Sequence, residues 1–221
     1  MQLDQYLSSL PLLHTWDNGK TWNTGGFKPS QLRSLHDFLH RSLPAHPTVL
    51  ETGAGNSTIC LSFLQPAVQT TICPDQALFD RIETYCRGAG IPTGRIDYRL
   101  GFSEWVLPEM AAPTRDSGPV LDFGLIDGGH NWPTVFVDFF YMNVMLREGG
   151  YLMLDDLQLH SVKELGRLLV EQPGYELCLD ERKFLVFRKT IADRTLPEWN
   201  SQPYILRRSK EYGRSADPFA L

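Results

Sequence analysis

Between residues 48 and 189, short apolar runs alternate with longer amphipathic stretches, and this alternation restricts the fold more than any other feature of the chain. The strand-like segments are TVLETG, VQTTIC, RIDYRLG, VLDFGLIDG, YLMLDD, YELCLD and KFLVFRK. Between them lie a helix from Ser57, ALFDRIETYCRGAG, a short helix with a Pro-rich loop, the long TVFVDFFYMNVMLREGG, and SVKELGRLLVEQ. Strands separated by helices predict a parallel sheet, because parallel neighbours need crossovers and right-handed crossovers lay helices on both faces. The expected fold is α/β: a doubly wound, mainly parallel, seven-stranded Rossmann-like sheet. The last two runs, Tyr175–Asp180 and Lys183–Lys189, are too close for a crossover helix and predict an antiparallel C-terminal hairpin.

With 221 residues, the chain has room for one domain and appendages. The division read from the sequence is a cap of helix and loop over 1–47, the α/β domain over 48–189 and a tail over 190–221. In the cap, WDNGKTWNTGGFKPS reads as loop, and SQLRSLHDFLHRSL as a helix capped by Ser30 and ended by Pro44 and Pro47. His14, Trp16, Trp22, Gly25, Gly26 and Phe27 either form a mobile aromatic lid or pack a helix on the core, the second being the commoner arrangement. The tail carries Pro197, Pro203 and Pro218 with Trp199, Tyr204 and Tyr212, and predicts an extended segment with at most one helix. Its Arg207, Arg208, Lys210 and Arg214 read as a solvated basic face, with an anionic acceptor or a neighbouring subunit in a homo-oligomer as the other uses.

Charge and cysteine usage narrow the function classes. Lys+Arg 21 against Asp+Glu 26 leaves a formal charge of −5, so the usual electrostatic grip on nucleic acid is missing. Cys60, Cys73, Cys86 and Cys178 form no C-x-x-C pair, and a chain of this length needs no disulfides, which suits a reducing cytoplasm. The N-terminus resembles no signal peptide, and no run approaches ~20 apolar residues, so neither secretion nor a membrane is expected.

At Val49-Leu50-Glu51-Thr52-Gly53-Ala54-Gly55-Asn56-Ser57-Thr58, an apolar strand runs into a glycine turn and then a helix. Glycines let a ligand approach the backbone beyond the carboxyl end of the strand. A dinucleotide fingerprint would put a third glycine where Thr58 stands, and Glu51 would repel a pyrophosphate; this disfavours a nicotinamide dehydrogenase. The pattern of an acid followed by G-x-G resembles class I S-adenosylmethionine-dependent methyltransferases. The resemblance implies a cofactor site over Gly53, Ala54, Gly55 and Ser57, with Glu51 near the methionyl end. The family's ribose-binding acid falls at Cys73, which cannot accept two hydroxyl hydrogen bonds, and Asp75 is the substitute two residues on. Ser103, in Gly101-Phe102-Ser103-Glu104-Trp105, falls where the adenine is bracketed, while Phe102 and Trp105 read as core.

Ile126-Asp127-Gly128-Gly129-His130 and Leu154-Asp155-Asp156 end two successive apolar strands, delivering three carboxylates and an imidazole to the edge that carries the glycine loop. Oxygen ligands of this kind suit Mg2+ or Mn2+. The spacing of D-G-G-H and G-G-Y-L-M-L-D-D resembles the metal-dependent macrocin-type sugar O-methyltransferases, although Trp132 stands where those sequences usually have Tyr. That resemblance implies Asp127, Asp155 and Asp156 as metal ligands and His130 as general base, with Asp127 also beside the cofactor.

The size of the proton-transfer gap indicates what a cation would be for. If an aliphatic hydroxyl titrates like water at ~15.7 and histidine at ~6.5, the mismatch is ~9 units, or ~12 kcal/mol, more than a base alone covers. For a phenol at ~10 it is only ~5 kcal/mol. The expected activity is therefore Mg2+-assisted O-methylation of a small sugar or catechol-like molecule. Metal-independent N- or O-methylation and non-catalytic cofactor binding remain the alternatives.

Overall fold

In the computed structural model, residues 1–213 are described. The chain forms α1 (Leu3–Ser8), β1 (His14–Trp16), β2 (Thr21–Asn23), α2 (Pro29–Ser42), β3 (Thr48–Thr52), α3 (Asn56–Ser62), β4 (Val68–Cys73), α4 (Gln76–Ala89) and β5 (Ile96–Leu100). It continues through α5 (Ser103–Ala111), α6 (Thr114–Ser117), β6 (Leu121–Ile126), α7 (Thr134–Met145), β7 (Leu146–Leu154), α8 (His160–Glu171), β8 (Tyr175–Asp180), β9 (Leu185–Lys189) and α9 (Pro203–Tyr212). The side chain of Tyr212, and Arg214 and Pro218 of the tail, lie outside the described residues.

The expected sheet is present. Its seven strands run in the order β5-β4-β3-β6-β7-β9-β8, parallel from β5 to β7 and antiparallel through β9 and β8. Central β6 is buried along its whole length, whereas edge strand β8 is largely exposed, as continuous and alternating apolar patterns require. Strand order reverses between β3 and β6, and in open α/β sheets that switch point opens a crevice at the carboxyl ends of the strands. Ladder bonding continues past the strands there: the Asp127 N–H donates to the Thr52 carbonyl at 3.1 Å, and the Asp155 N–H to the Ile126 carbonyl at 3.1 Å. The residues that end β3, β6 and β7 are thereby held side by side.

Side-chain alternation splits the core into two layers. Val49, Phe123 and Leu125 pack with Tyr6, Leu32, Leu35, Leu39, Ile59, Phe79 and Ile82 on one face. Leu50, Ile72 and Ile126 pack with Leu107, Phe139, Met142 and Leu165 on the other. The N-terminal residues thus share a core with the sheet. Helix α4 is held at both ends, by the Asp75 side chain accepting from the Leu78 N–H at 3.1 Å and by left-handed Gly90. All four cysteines are free, and among the described residues no helix is long and apolar enough to cross a membrane.

Several local expectations are corrected. The stretch read as loop over 16–30 holds the turn at Asp17–Gly19 and the second strand of the β1–β2 hairpin. Ser30 does not cap α2: Pro29 occupies the first turn, where its missing N–H costs nothing, and the Lys28 N–H instead donates to Gln31 Oε1 at 2.9 Å. The long helix expected to reach Gly150 stops at Met145, and Leu146 begins β7. The buried Lys189 ammonium, 43 residues beyond Leu146, donates to the Asn143 and Leu146 carbonyls and satisfies the helix end. Burial lowers the pKa of Lys189 to about 8. Phe102 and Trp105 are not core; they are 59% and 73% exposed, because α5 buries the stripe Ser103, Leu107 and Ala111 and both aromatics fall off it.

Candidate active site

A cavity of about 890 Å3 occupies the crevice at the switch point. Its floor is the loop after β3, from Gly53 to Ser57, and its walls come from Cys73, Ser103, Asp127, His130, Asp155 and Asp156, with His14 and Gly25–Phe27 closing one side. Gly53 has φ +86°, and a Cβ there would run into the carbonyl of Asp127, so glycine is demanded by the approach of the β6 loop. At Gly55 the neighbour is His14, whose Nε2 would lie 2.7 Å from an added Cβ. The His14 ring also lies 2.9 Å from the Cβ position of Gly25, so the imidazole sits between two glycines. Burial, with Arg81 nearby, lowers its pKa. Of the aromatics suspected of forming a lid, Phe27 is buried, while Trp16 and Trp22 are 61% and 45% exposed.

Glu51 lies beneath this floor and does not reach the cavity wall. Its oxygens accept from the Ser57 hydroxyl at 2.9 Å and the Thr71 hydroxyl at 2.8 Å, and burial still raises its pKa to about 7. Ser57 lines the cavity with its hydroxyl committed to Glu51. Asp75 is also absent from the wall: it caps α4 and lies 3.2 Å from Arg81, leaving Cys73 and Pro74 on the cavity side. Ser103 does line it, near the buried Asp138, whose carboxyl is pushed up to about 6 by burial.

The acidic edge is more elaborate than its motif. His130 Nε2 lies 3.7 Å from Asp127 Oδ1 and 3.8 Å from Asp156 Oδ2. These three side chains place one donor atom each within 4.8 Å of one another, and Asp155 lies outside that group though on the same cavity wall. The Lys183 ammonium, from the turn before β9, donates to Asp155 Oδ2 and, at 2.7 Å, to Asp156 Oδ1. The two acids follow the last residue of β7, and Asp156 adopts a left-handed φ of 62°, which departs from the alternation of a strand. Lys183 also lies 4.4 Å from the centre of the Phe27 ring, tying the N-terminal segment to the site.

Charge states follow from these contacts. Burial, then repulsion from Asp155, pushes the Asp127 carboxyl well up. Burial acts the same way on Asp156, but hydrogen bonds from Lys183 and Gln158 outweigh it and hold that carboxyl low. Burial lowers the His130 pKa against the pull of Asp156 and Asp155, which favours a neutral imidazole.

No protein-family model matches the chain, and no curated protein matches it in sequence. Solved structures do. An O-methyltransferase from Bacillus cereus, in complex with SAH, aligns with a TM-score of 0.59 at 16% identity, covering 76% of this chain and 84% of that one. An rRNA methylase from Streptococcus thermophilus gives 0.53 at 16%, covering 75% and 98%. MycE, a methyltransferase of mycinamycin biosynthesis in complex with Mg and SAH, gives 0.53 at 16%, covering 79% and 53%. The fold is that of the S-adenosylmethionine-dependent methyltransferases. At these identities the likeness is one of fold, and the acceptors of the neighbours differ.

The residues present suit the cofactor of this fold and a cation such as the Mg bound with the MycE neighbour. The glycine floor leaves a ligand-sized space bordered by carboxylates, which complement a sulfonium. For a cation, the Asp127 and Asp156 carboxylates converge, and His130 Nε2 beside them is buried with no hydrogen-bond partner among the described residues. Asp155 Oδ1 is another buried polar atom without a partner. A donor set of mainly oxygen suits Mg2+ or Mn2+. The converging group is Asp127, His130 and Asp156, where the resemblance implied Asp127, Asp155 and Asp156 as ligands, and Lys183 pairs with Asp155 and Asp156 alike. Lys183 escaped the sequence reading, and His14 was read only as part of a lid or packing group: each lies in a turn or short strand without a motif, and no local pattern announces its distant partner.

Proposed function

We propose that the protein is an S-adenosylmethionine-dependent methyltransferase that methylates a hydroxyl of a small molecule with the help of a divalent cation. The observation that carries this reading is the unpartnered His130 Nε2 at 3.7 and 3.8 Å from two carboxylates, on the wall of a cavity floored by the glycine loop. When bound, the cofactor supplies an electrophilic methyl group and the cation lowers the pKa of an acceptor hydroxyl. Gly53, Ala54 and Gly55 leave the floor open to the cofactor, and Asp127 and Asp156 would hold the cation. Neutral His130 accepts the hydroxyl proton at Nε2, and the Ser161 hydroxyl, donating to the His130 carbonyl, fixes the loop that carries it. The acid excess of the chain speaks against a nucleic-acid acceptor such as the rRNA methylase neighbour's name implies.

The test is methyl transfer to a panel of sugars, catechols and amines by wild type, His130→Ala and Asp156→Asn, with SAH and Mn2+ binding measured in parallel. Loss of turnover with Mn2+ affinity kept in His130→Ala identifies a base, and loss of Mn2+ affinity identifies a ligand. Undiminished turnover in both variants refutes the assignment.

One observation favours a second reading. Lys183 already supplies a cation to Asp155 and Asp156, as a metal-independent N- or O-methyltransferase would need. Activity that survives exhaustive chelation selects it. Tight SAH binding without turnover on any acceptor selects a non-catalytic binding protein.

A further inference from the structure

A second cavity, of about 1020 Å3, opens beside the first and shares His130 and Asn131 with it. The loop after β6, the first turns of α8 and one side of α9 form its walls. The charged side chains on those walls are paired with one another. Buried Glu164 accepts from the Tyr204 hydroxyl and pairs with Arg167 and, at 3.6 Å, with Arg208. Arg208 in turn lies 3.3 Å from Glu211. Two arginines and two glutamates cancel, so these walls, among the described residues, offer no uncompensated charge to an anionic ligand.

What the groove presents instead is apolar. Trp132 is 61% exposed, Leu159 is 38% exposed and Ile205 is half-buried. Contiguous exposed apolar surface around a concavity marks a binding site for an apolar body. A polyhydroxylated sugar needs unpaired donors and acceptors along its length, and Glu164, Arg167, Tyr204, Arg208 and Glu211 are spent on each other. Size adds a second constraint: a space at the upper end of the ~300–1,000 Å3 typical of ligand pockets is too large for a single ring.

We propose that this groove holds the body of the methyl acceptor, an uncharged molecule with an extended flat aromatic frame. The frame lies against Trp132, Leu159 and Ile205, and its reacting hydroxyl reaches His130 at the mouth common to both cavities. The assignment rests on the methyl-transfer reading above, and it places acceptor selection in α9 and the Trp132 loop.

Calorimetric titration of the full chain with 4-phenylcatechol, catechol and methyl glucoside, with and without SAH, tests it in wild type, Trp132→Ala and Ile205→Glu, each checked for folding by circular dichroism. The expected result is that 4-phenylcatechol binds at least tenfold tighter than catechol and methyl glucoside gives no heat. Each substitution should weaken 4-phenylcatechol at least tenfold and leave the SAH Kd within twofold. Absence of 4-phenylcatechol binding, equal affinity for catechol, full affinity in both variants, or preferential binding of methyl glucoside overturns the proposal. Failure of SAH to bind wild type overturns the methyltransferase reading instead, and 4-phenylcatechol binding that Ile205→Glu abolishes would still establish the groove.

Discussion

Lys183 Nζ lies 2.7 Å from Asp156 Oδ1 and also donates to Asp155, so one ammonium bridges the two acids that end β7. Asp155 is 1% exposed, and removing one partner of a buried pair leaves a charge uncompensated, at a cost of ~3–5 kcal/mol. Lys183→Met should therefore lose stability on this scale in urea titrations. Added Mn2+ should restore part of the loss, since the acids freed by the substitution attract a cation. Equal stability of variant and wild type without Mn2+ would show that the bridge contributes nothing.

Gly55 and His14 form a second long-range pair. A methyl group on Gly55 would lie 2.7 Å from His14 Nε2, and overpacking of this kind typically costs ~1–3 kcal/mol. Gly55→Ala should be destabilising, and His14→Ala introduced beside it should recover much of the loss. The check is a double-mutant cycle by thermal unfolding, with a coupling of about 1 kcal/mol or more. Additive effects would mean that the two residues do not meet.

Glu51 makes folding sensitive to pH. Its pKa rises from 4.5 to about 7 on burial, so the folded state binds the proton more tightly than the unfolded one. Stability from this group is full below the unfolded pKa and declines as pH rises through the folded one, by up to ~3 kcal/mol. The stability difference between wild type and Glu51→Gln should fall by that order from pH 4.5 to 7.5. A flat difference would mean that Glu51 titrates normally.

Burial of Glu51 also shows where legibility ends. Its place at the end of β3 follows from apolar periodicity, as do the positions of the glycine loop, Asp127 and the Asp155–Asp156 pair at the ends of β3, β6 and β7. Which way each side chain turns does not follow. Glu51 points to Ser57 and Thr71 beneath the floor, and Asp75 is spent on capping α4. Asp155 faces Lys183, which comes 28 residues later in the chain.

Alternation of apolar and polar residues reports burial over a few neighbours, and that was enough to determine the strands, the parallel sheet, its C-terminal hairpin and the edge on which the acids gather. Tertiary structure alone decided that Lys189 meets the end of α7, that His14 lies against Gly55, that Lys183 bridges Asp155 and Asp156, and that His130 converges with Asp127 and Asp156. Such pairings join segments far apart in the chain. They are set by how side chains from separate elements fill one shared space, to which local periodicity is blind.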